Sequence, residues 1–131
     1  MARILIVDDE ATNREVQGAI CRFDGHSTAL AVNGQKALDL LLDGQAFDLV
    51  LLDVQMPVMN GVTFARALRA DPRFDGLPIL GVTGQALAID RAAMMAAGFN
   101  DVLTKPFRRK QLIDAMAPLL SASLLPLGAR A

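Results

Sequence analysis

The sequence of 131 residues has one cysteine, one histidine, no tryptophan and no tyrosine. Cys21 alone excludes an internal disulfide and a thiolate-clustered metal site, and His26 alone excludes a multi-histidine site. No Ser/His/Asp triad can be assembled from it. A basic excess is also lacking, because the chain has 13 Lys and Arg residues and 14 Asp and Glu residues, which give a formal net charge of −1. Binding by phosphate neutralisation needs such an excess, so we expect no direct nucleic-acid partner.

Long hydrophobic runs are lacking as well. The run Ile4–Val7 stops at Asp8-Asp9-Glu10, which is too short for the core of a signal peptide. The longest uncharged stretch, Ala115 to Ala129, is interrupted by Pro118, Pro126 and two serines and is shorter than a membrane span. We therefore expect a cytoplasmic protein with no membrane partner.

Short apolar runs alternate with segments of helical periodicity. The runs predict strands at Arg3–Val7, Ser27–Ala31, Phe47–Leu52, Leu77–Val82 and Val102–Thr104. Helices are predicted at Ala11–Phe23, from the N-cap Asn33 through Leu42, at Val62–Ala70, at Ala88–Ala97 and from Arg108 to about Ala117. This alternation is typical of an α/β fold, a (βα)5 doubly wound parallel sheet. We expect one domain over residues 1–121 and a C-terminal tail or linker stub over 122–131.

Two of the helices carry further expectations. In the first, the spacing of Val16, Ala19, Ile20 and Phe23 predicts one buried apolar stripe. In the last, Pro118 is expected to end or kink the helix, because an interior proline costs roughly 3 kcal/mol.

Polar side chains follow four of the five predicted strands. Asp8-Asp9-Glu10 follows the first, Asp53 the third, Thr83 the fourth and Lys105-Pro106 the fifth. Ligands of such sheets bind beyond the carboxyl ends of the strands, where the strand order reverses. The pattern therefore favours the order 2-1-3-4-5, with the second strand at an edge, and brings these side chains into one pocket.

A pocket of this composition favours phosphoryl transfer. Two unit charges ~4 Å apart interact by about 4 kcal/mol at an effective dielectric near 20, so three acids there need neutralisation. Lys105 supplies one positive charge, and a hard divalent ion such as Mg²⁺ supplies the rest. An aspartate would be the nucleophile, while Thr83 and Lys105 would contact the phosphoryl oxygens. There is no GxxxxGK[ST] or GxGxxG loop, so nothing in the sequence would hold a nucleotide.

From about Ala2 to Leu120, the chain resembles the receiver domains of two-component response regulators. The shared motifs are Asp8-Asp9, the segment Asp53-Val54-Gln55-Met56-Pro57-Val58-Met59-Asn60-Gly61, Thr83, and Lys105-Pro106-Phe107. The resemblance implies a flavodoxin-like, CheY-like three-layer sandwich. It also implies a signalling domain that catalyses only its own phosphorylation and dephosphorylation.

The resemblance further implies specific roles. Asp53 would accept a phosphoryl group from a histidine kinase or a phosphotransfer protein. Asp8, Asp9, Asp53 and the backbone carbonyl of Gln55 would bind Mg²⁺, with Asp8 acting partly through water. Lys105 would contact the phosphoryl group, and the Lys105–Pro106 bond is expected to be cis.

In this family the threonine, here Thr83, moves onto the new phosphate, and the face of helix 4, strand 5 and helix 5 changes its partners. An unidentified downstream protein would bind that face. The sequence departs from the family at two positions. Val102 stands where the family has its switch aromatic, and Gly84 stands where alanine is more usual, which would leave the pocket more open.

Two other functions stay open at this stage. A phosphate-independent interaction module could keep the acidic pocket as a relic. The presence of all five family site residues argues against that alternative, and Val102 keeps it open. A hydrolase of small phosphate esters is the third possibility, but the sequence offers neither a substrate pocket nor a general acid beyond the acidic pair. The length leaves no room for an output domain, so we expect a stand-alone regulator or the receiver of a hybrid kinase.

Overall fold

The structure is a computed structural model that describes residues 2–54, 59–84 and 91–124, and their side chains as far as residue 121. Across these three ranges, no helix has both the length and the apolar character that crossing a bilayer requires.

Five parallel strands form one sheet in the order β2-β1-β3-β4-β5. Their bounds are Arg3–Val7 for β1, Ser27–Ala31 for β2, Leu49–Asp53 for β3, Ile79–Thr83 for β4 and Asp101–Thr104 for β5. In the register, Ile4 pairs with Thr28 on one side and with Leu49 on the other. Every residue of β3 and β4 is buried, as continuous apolar runs indicate, and β2 lies at an edge. The predicted fold class and strand order are confirmed.

Helices cover both faces of the sheet. They are α1 (Ala11–Phe23), α2 (Gly34–Leu42), α3 (Gly61–Arg69), α4 (Arg91–Ala97) and α5 (Arg109–Leu124), with a short 3-10 helix at Pro72–Phe74. One core cluster contains buried residues of α2, α3 and α4, and the second contains buried residues of α1 and α5. The result is the doubly wound sheet that the alternating pattern predicts and the three-layer sandwich that the resemblance implies.

Several element bounds differ from the predicted ones. The prediction began β4 at Leu77, but the backbone N–H of Leu77 bonds to Phe74 in the preceding turn, and Pro78 has no N–H to give to a ladder. Strand β4 therefore begins at Ile79, whose N–H donates to the side chain of Asn100. The predicted start of α4, residues 88–90, lies outside the described residues.

The prediction that the last helix ends at Pro118 is wrong. Helix α5 continues through Pro118 to Leu124. The buried residues Leu112, Met116 and Leu120 recur every four positions, while Pro118 lies on the exposed face. Burial of that apolar row in the core continues past the proline, and this packing outweighs its local cost.

The predicted buried stripe of α1 holds at Ile20, which packs partly buried against the second core cluster, and is wrong at its other three residues. Val16 is 50% exposed and Phe23 70% exposed, and Ala19 is exposed too. The residues of α1 that face the sheet are Gln17, Gly18 and Cys21. Helical periodicity therefore located α1 correctly but assigned three exposed residues of the helix to the core.

Candidate functional site

Three carboxylates meet at the carboxyl edge of the sheet. Asp53 is the last residue of β3, and Asp8 and Asp9 directly follow β1, the neighbouring strand. One carboxylate oxygen from each lies within 4.8 Å of the others. Asp8 is 0% exposed and Asp53 8% exposed, whereas Asp9 faces solvent. We call these three residues the acidic pocket.

Both carboxylate oxygens of Asp8 accept hydrogen bonds. Oδ1 accepts from the backbone N–H of Glu10 at 2.9 Å. Oδ2 accepts from Nε2 of Gln17 and from Nζ of Lys105, each at 3.3 Å. The backbone carbonyl of Asp8 accepts from the guanidinium of Arg14 at 2.7 Å. A buried charge is tolerated only with such partners, and here α1 and the segment after β5 both supply them.

Lys105 reaches the acidic pocket from the end of β5. Its backbone N–H donates to the carbonyl of Thr83 at 2.7 Å, which fixes the loop against β4. The Lys105–Pro106 peptide bond is cis. The Lys105 side chain is 23% exposed and forms an ion pair with Asp8. Thr83, the last residue of β4, is buried with 1% of its surface exposed.

A close backbone contact sets the position of Asp53 relative to α3. The N–H of Gly61 donates to the carbonyl of Val54 at 2.9 Å. A Cβ atom at residue 61 would lie 2.8 Å from Val54 Cα and 2.9 Å from the Asp53 carbonyl oxygen. Only glycine permits this approach, so Gly61 allows α3 to begin directly against the end of β3.

A cavity of about 320 Å³ adjoins the acidic pocket. It is lined by Asn13, Val16 and Gln17 of α1 and by Lys105, Pro106 and Phe107. Gln17 and Lys105, which both bond to Asp8, therefore also face this cavity, which we call the α1 cavity. A group that enters it comes close to the acidic pocket.

The remaining predicted residues fall in different places. Gln55 lies outside the described residues. Gly84 is exposed directly after Thr83, and a Cβ there would have no atom of the described residues within 4 Å. Val102 pairs with Gly81 in the sheet and packs, half-buried, against the core cluster that contains α2 and α3. Gln17 was not predicted as a site residue, because the prediction for this helix considered only its apolar residues.

The donor set of the acidic pocket fits a hard divalent cation. Three carboxylates offer oxygen ligands, and one ammonium group cannot balance three negative charges. The described residues contain no second cluster of three or more His, Cys, Asp or Glu side chains that meets the same spacing. Within the described part of the chain, a metal ion therefore has one clear place to bind.

A family model described as "Response regulator receiver domain" matches residues 4–117. The response regulator MprA of Mycolicibacterium vanbaalenii is 41% identical over 118 residues, which are 90% of this chain and 50% of that protein. The DNA-binding response regulator MtrA of Mycobacterium leprae is 38% identical over 111 residues, 85% of this chain and 48% of that protein. This chain thus spans about half the length of these relatives.

Among solved structures, one similar to this chain is the receiver domain of the sensor histidine kinase PA1611 from Pseudomonas aeruginosa PAO1. It has a TM-score of 0.83 and 32% sequence identity, and the match covers 92% of this chain and 98% of that one. That structure has a magnesium ion coordinated in its active site cleft.

Proposed function

The chain belongs to the response regulator receiver family of two-component signalling, and from this we propose that it accepts a phosphoryl group on Asp53. The observation that carries the proposal is the acidic pocket with Lys105 bonded to Asp8. Asp53 is the favoured acceptor among the three acids. Asp53 ends β3, the strand that lies between β1, which Asp8 follows, and β4, which the buried Thr83 ends.

In the proposed reaction, a carboxylate oxygen of Asp53 attacks the phosphorus of a phosphohistidine. An O–P bond forms to give an acyl phosphate, and the P–N bond breaks with its electron pair staying on the imidazole nitrogen. Lys105 and the hydroxyl of Thr83 would stabilise the charge that develops on the phosphoryl oxygens.

We propose that Asp8, Asp9, Asp53 and the backbone carbonyl of Gln55 hold Mg²⁺, with Asp8 acting partly through water. The ion would supply positive charge that neutralises the acids and the incoming phosphoryl oxygens. Support comes from the spacing of the three carboxylates and from the magnesium ion in the cleft of the PA1611 receiver.

The proposed phosphodonor is a histidine kinase or a histidine phosphotransfer protein. Exposed apolar side chains beside the acidic pocket suit a protein donor, because Val16 lines the α1 cavity together with Pro106 and Phe107. We call the exposed row Val16, Ala19 and Phe23 the α1 surface. The downstream partner would bind the face of α4, β5 and α5.

The relatives suggest two settings for the domain. MtrA is named a DNA-binding response regulator, so the expected absence of a nucleic-acid partner applies, in this proposal, only to the receiver residues themselves. The PA1611 receiver belongs to a sensor histidine kinase. Receivers therefore occur in both kinds of protein.

The second candidate function is an interaction module that does not depend on phosphate. One observation favours it: β5 has no aromatic side chain at residue 102, so a rotating aromatic there cannot report phosphorylation. Partner binding that is the same with and without beryllofluoride would support this alternative.

The direct test uses a small-molecule phosphodonor, acetyl phosphate, with the wild-type chain and Asp53→Asn. The expected result is Mg²⁺-dependent labelling of the wild type and none of the variant. Asp48→Asn is the matched control, because Asp48 lies at the opposite edge of the sheet, where it accepts the N–H of Arg3. Labelling that survives Asp53→Asn, or no labelling of the wild type, would refute the proposal.

A further inference from the structure

Gln17 is a buried amide in a helix whose neighbouring apolar residues are exposed. It is 3% exposed, whereas Val16 is 50% exposed. Burying an amide is unfavourable unless it finds a partner, and an apolar side chain would fill the same space at lower cost. Its presence on the inner face of α1 therefore needs an explanation beyond packing.

The only hydrogen-bond partner of the Gln17 side chain in the described part of the chain is Asp8. Nε2 donates to Oδ2 of Asp8 at 3.3 Å. The same oxygen accepts from Lys105 Nζ, also at 3.3 Å. The two donors approach from different elements, α1 and the segment after β5, so together they fix the direction of the Asp8 carboxylate.

This orientation matters because Asp8 is in a repulsive environment. Its carboxylate is fully buried, and one of its oxygens lies within 4.8 Å of a carboxylate oxygen of Asp9 and of Asp53. Without Gln17, Oδ2 would keep only the Lys105 ammonium, and the carboxylate would be held by that bond and by the Glu10 N–H on Oδ1. It could then turn more readily about its bond to relieve the repulsion. Donors to metal-binding carboxylates commonly matter 10–100-fold for metal affinity.

We propose that Gln17 is a positioning residue for the cation site: its amide holds the Asp8 carboxylate in the orientation that Mg²⁺ binding requires. This inference rests on the proposed function, since it concerns the same acidic pocket. It adds a residue of α1 to the site and explains why the inner face of this helix carries an amide.

The test is Gln17→Met, which keeps the length of the side chain and removes the donor. The matched control is Ile20→Met, on the same helix, packed against the core and without a bond to Asp8. Mg²⁺ affinity is measured on metal-free protein by calorimetric titration. We expect Gln17→Met to bind Mg²⁺ about tenfold more weakly than the wild type and Ile20→Met to bind within about twofold.

A split in the labelling kinetics separates positioning from a general loss of structure. At saturating Mg²⁺, acetyl phosphate should label Gln17→Met at a rate near that of the wild type, while the Mg²⁺ concentration for half-maximal rate rises about tenfold. An unchanged Mg²⁺ affinity, or an equal loss in Ile20→Met, would overturn the inference. If the wild type binds no Mg²⁺ and is not labelled, the proposed function itself fails.

A second measurement does not require any variant to fold. In NMR spectra of the wild type, the side-chain amide protons of Gln17 should shift when Mg²⁺ is added. The amides of Gln35 and Gln45, which bond to Asp39 and Arg3 outside the pocket, should stay unchanged. A Gln17 amide that does not respond to saturating Mg²⁺ would contradict its role.

Discussion

The ring of Phe99 fills the space above Gly81, where a Cβ atom would lie 2.8 Å from the ring carbons Cδ2 and Cε2. Phe99 is 2% exposed and Gly81 pairs with Val102 in the sheet. The core therefore pairs a glycine in β4, Gly81, with a large aromatic side chain just after α4, Phe99.

This contact predicts coupled effects on stability. Gly81→Ala should lower the free energy of unfolding by about 1–3 kcal/mol through overpacking, and Phe99→Ala by about 3–5 kcal/mol through a cavity. The double variant Gly81→Val/Phe99→Ala should lose less than the sum of Gly81→Val and Phe99→Ala, because valine occupies part of the vacated space. Urea denaturation of the variants measures this, and strictly additive losses would contradict the packing argument.

A second prediction concerns charge in the acidic pocket. Asp53→Asn removes one of three mutually repelling carboxylates, so the metal-free variant should be more stable than the wild type by about 1–2 kcal/mol. Mg²⁺ should reverse the order, because it stabilises the form that binds it more tightly. Urea midpoints in EDTA and in Mg²⁺ test both statements. A lower midpoint for the variant in EDTA would count against repulsion within the pocket.

A third prediction concerns the α1 surface. Val16→Ser should slow phosphoryl transfer from a phosphohistidine protein by about five- to tenfold, a loss of ~1–1.4 kcal/mol of contact energy. Labelling by acetyl phosphate should change by less than about twofold, since a small donor needs no such surface. Val32→Ser is a matched control, because Val32 is 47% exposed but does not line the α1 cavity. If Val16→Ser slows the reaction with both phosphodonors equally, the substitution acts on the acidic pocket and not on docking of the protein donor.

A fourth prediction concerns alkaline pH. Burial, and secondarily the charge of Asp24, raises the pKa of the Cys21 thiol to about 12 from an ordinary value of 9.0. Between these values the unfolded chain has lost the proton that the folded chain keeps, so rising pH favours unfolding. The contribution to stability should fall by about 1.4 kcal/mol per pH unit within that window.

The alkaline effect is tested with Cys21→Ala, which lacks the thiol. Its stability at neutral pH should be lower, because Cys21 is fully buried and contacts Met116 through sulfur at 3.8 Å. The difference between the two proteins should shrink as the pH rises through about 9 to about 11. If the difference between the urea midpoints of the wild type and Cys21→Ala stays constant over this range, the thiol does not titrate as described.

The sequence predicted the sheet and the meeting of three carboxylates at its carboxyl edge, for a physical reason. Continuous apolar runs report strands that are buried on both faces, and the right-handed crossover leaves few orders for five of them. Once β1 and β3 are neighbours, Asp8, Asp9 and Asp53 have to meet, because each follows or ends its strand.

Features that depend on tertiary contacts could not be predicted in this way. The periodicity of α1 pointed to Val16 and Phe23 as core residues, yet the helix turns Gln17 inward, where it bonds to Asp8. That bond joins a helix to a strand end and leaves no local pattern. The sequence shows only a glutamine next to Val16, which does not tell which of the two faces the core.

The ion pair between Asp8 and Lys105 joins residues 97 positions apart in the chain. During synthesis Asp8 emerges with the first strand, long before the lysine that accompanies its burial. A nascent chain without the last strand would have to keep the end of β1 hydrated or bury a carboxylate without its ammonium partner. The acidic edge therefore reaches its final form only after the final strand has joined the sheet, so the Asp8–Lys105 ion pair depends on completion of the domain.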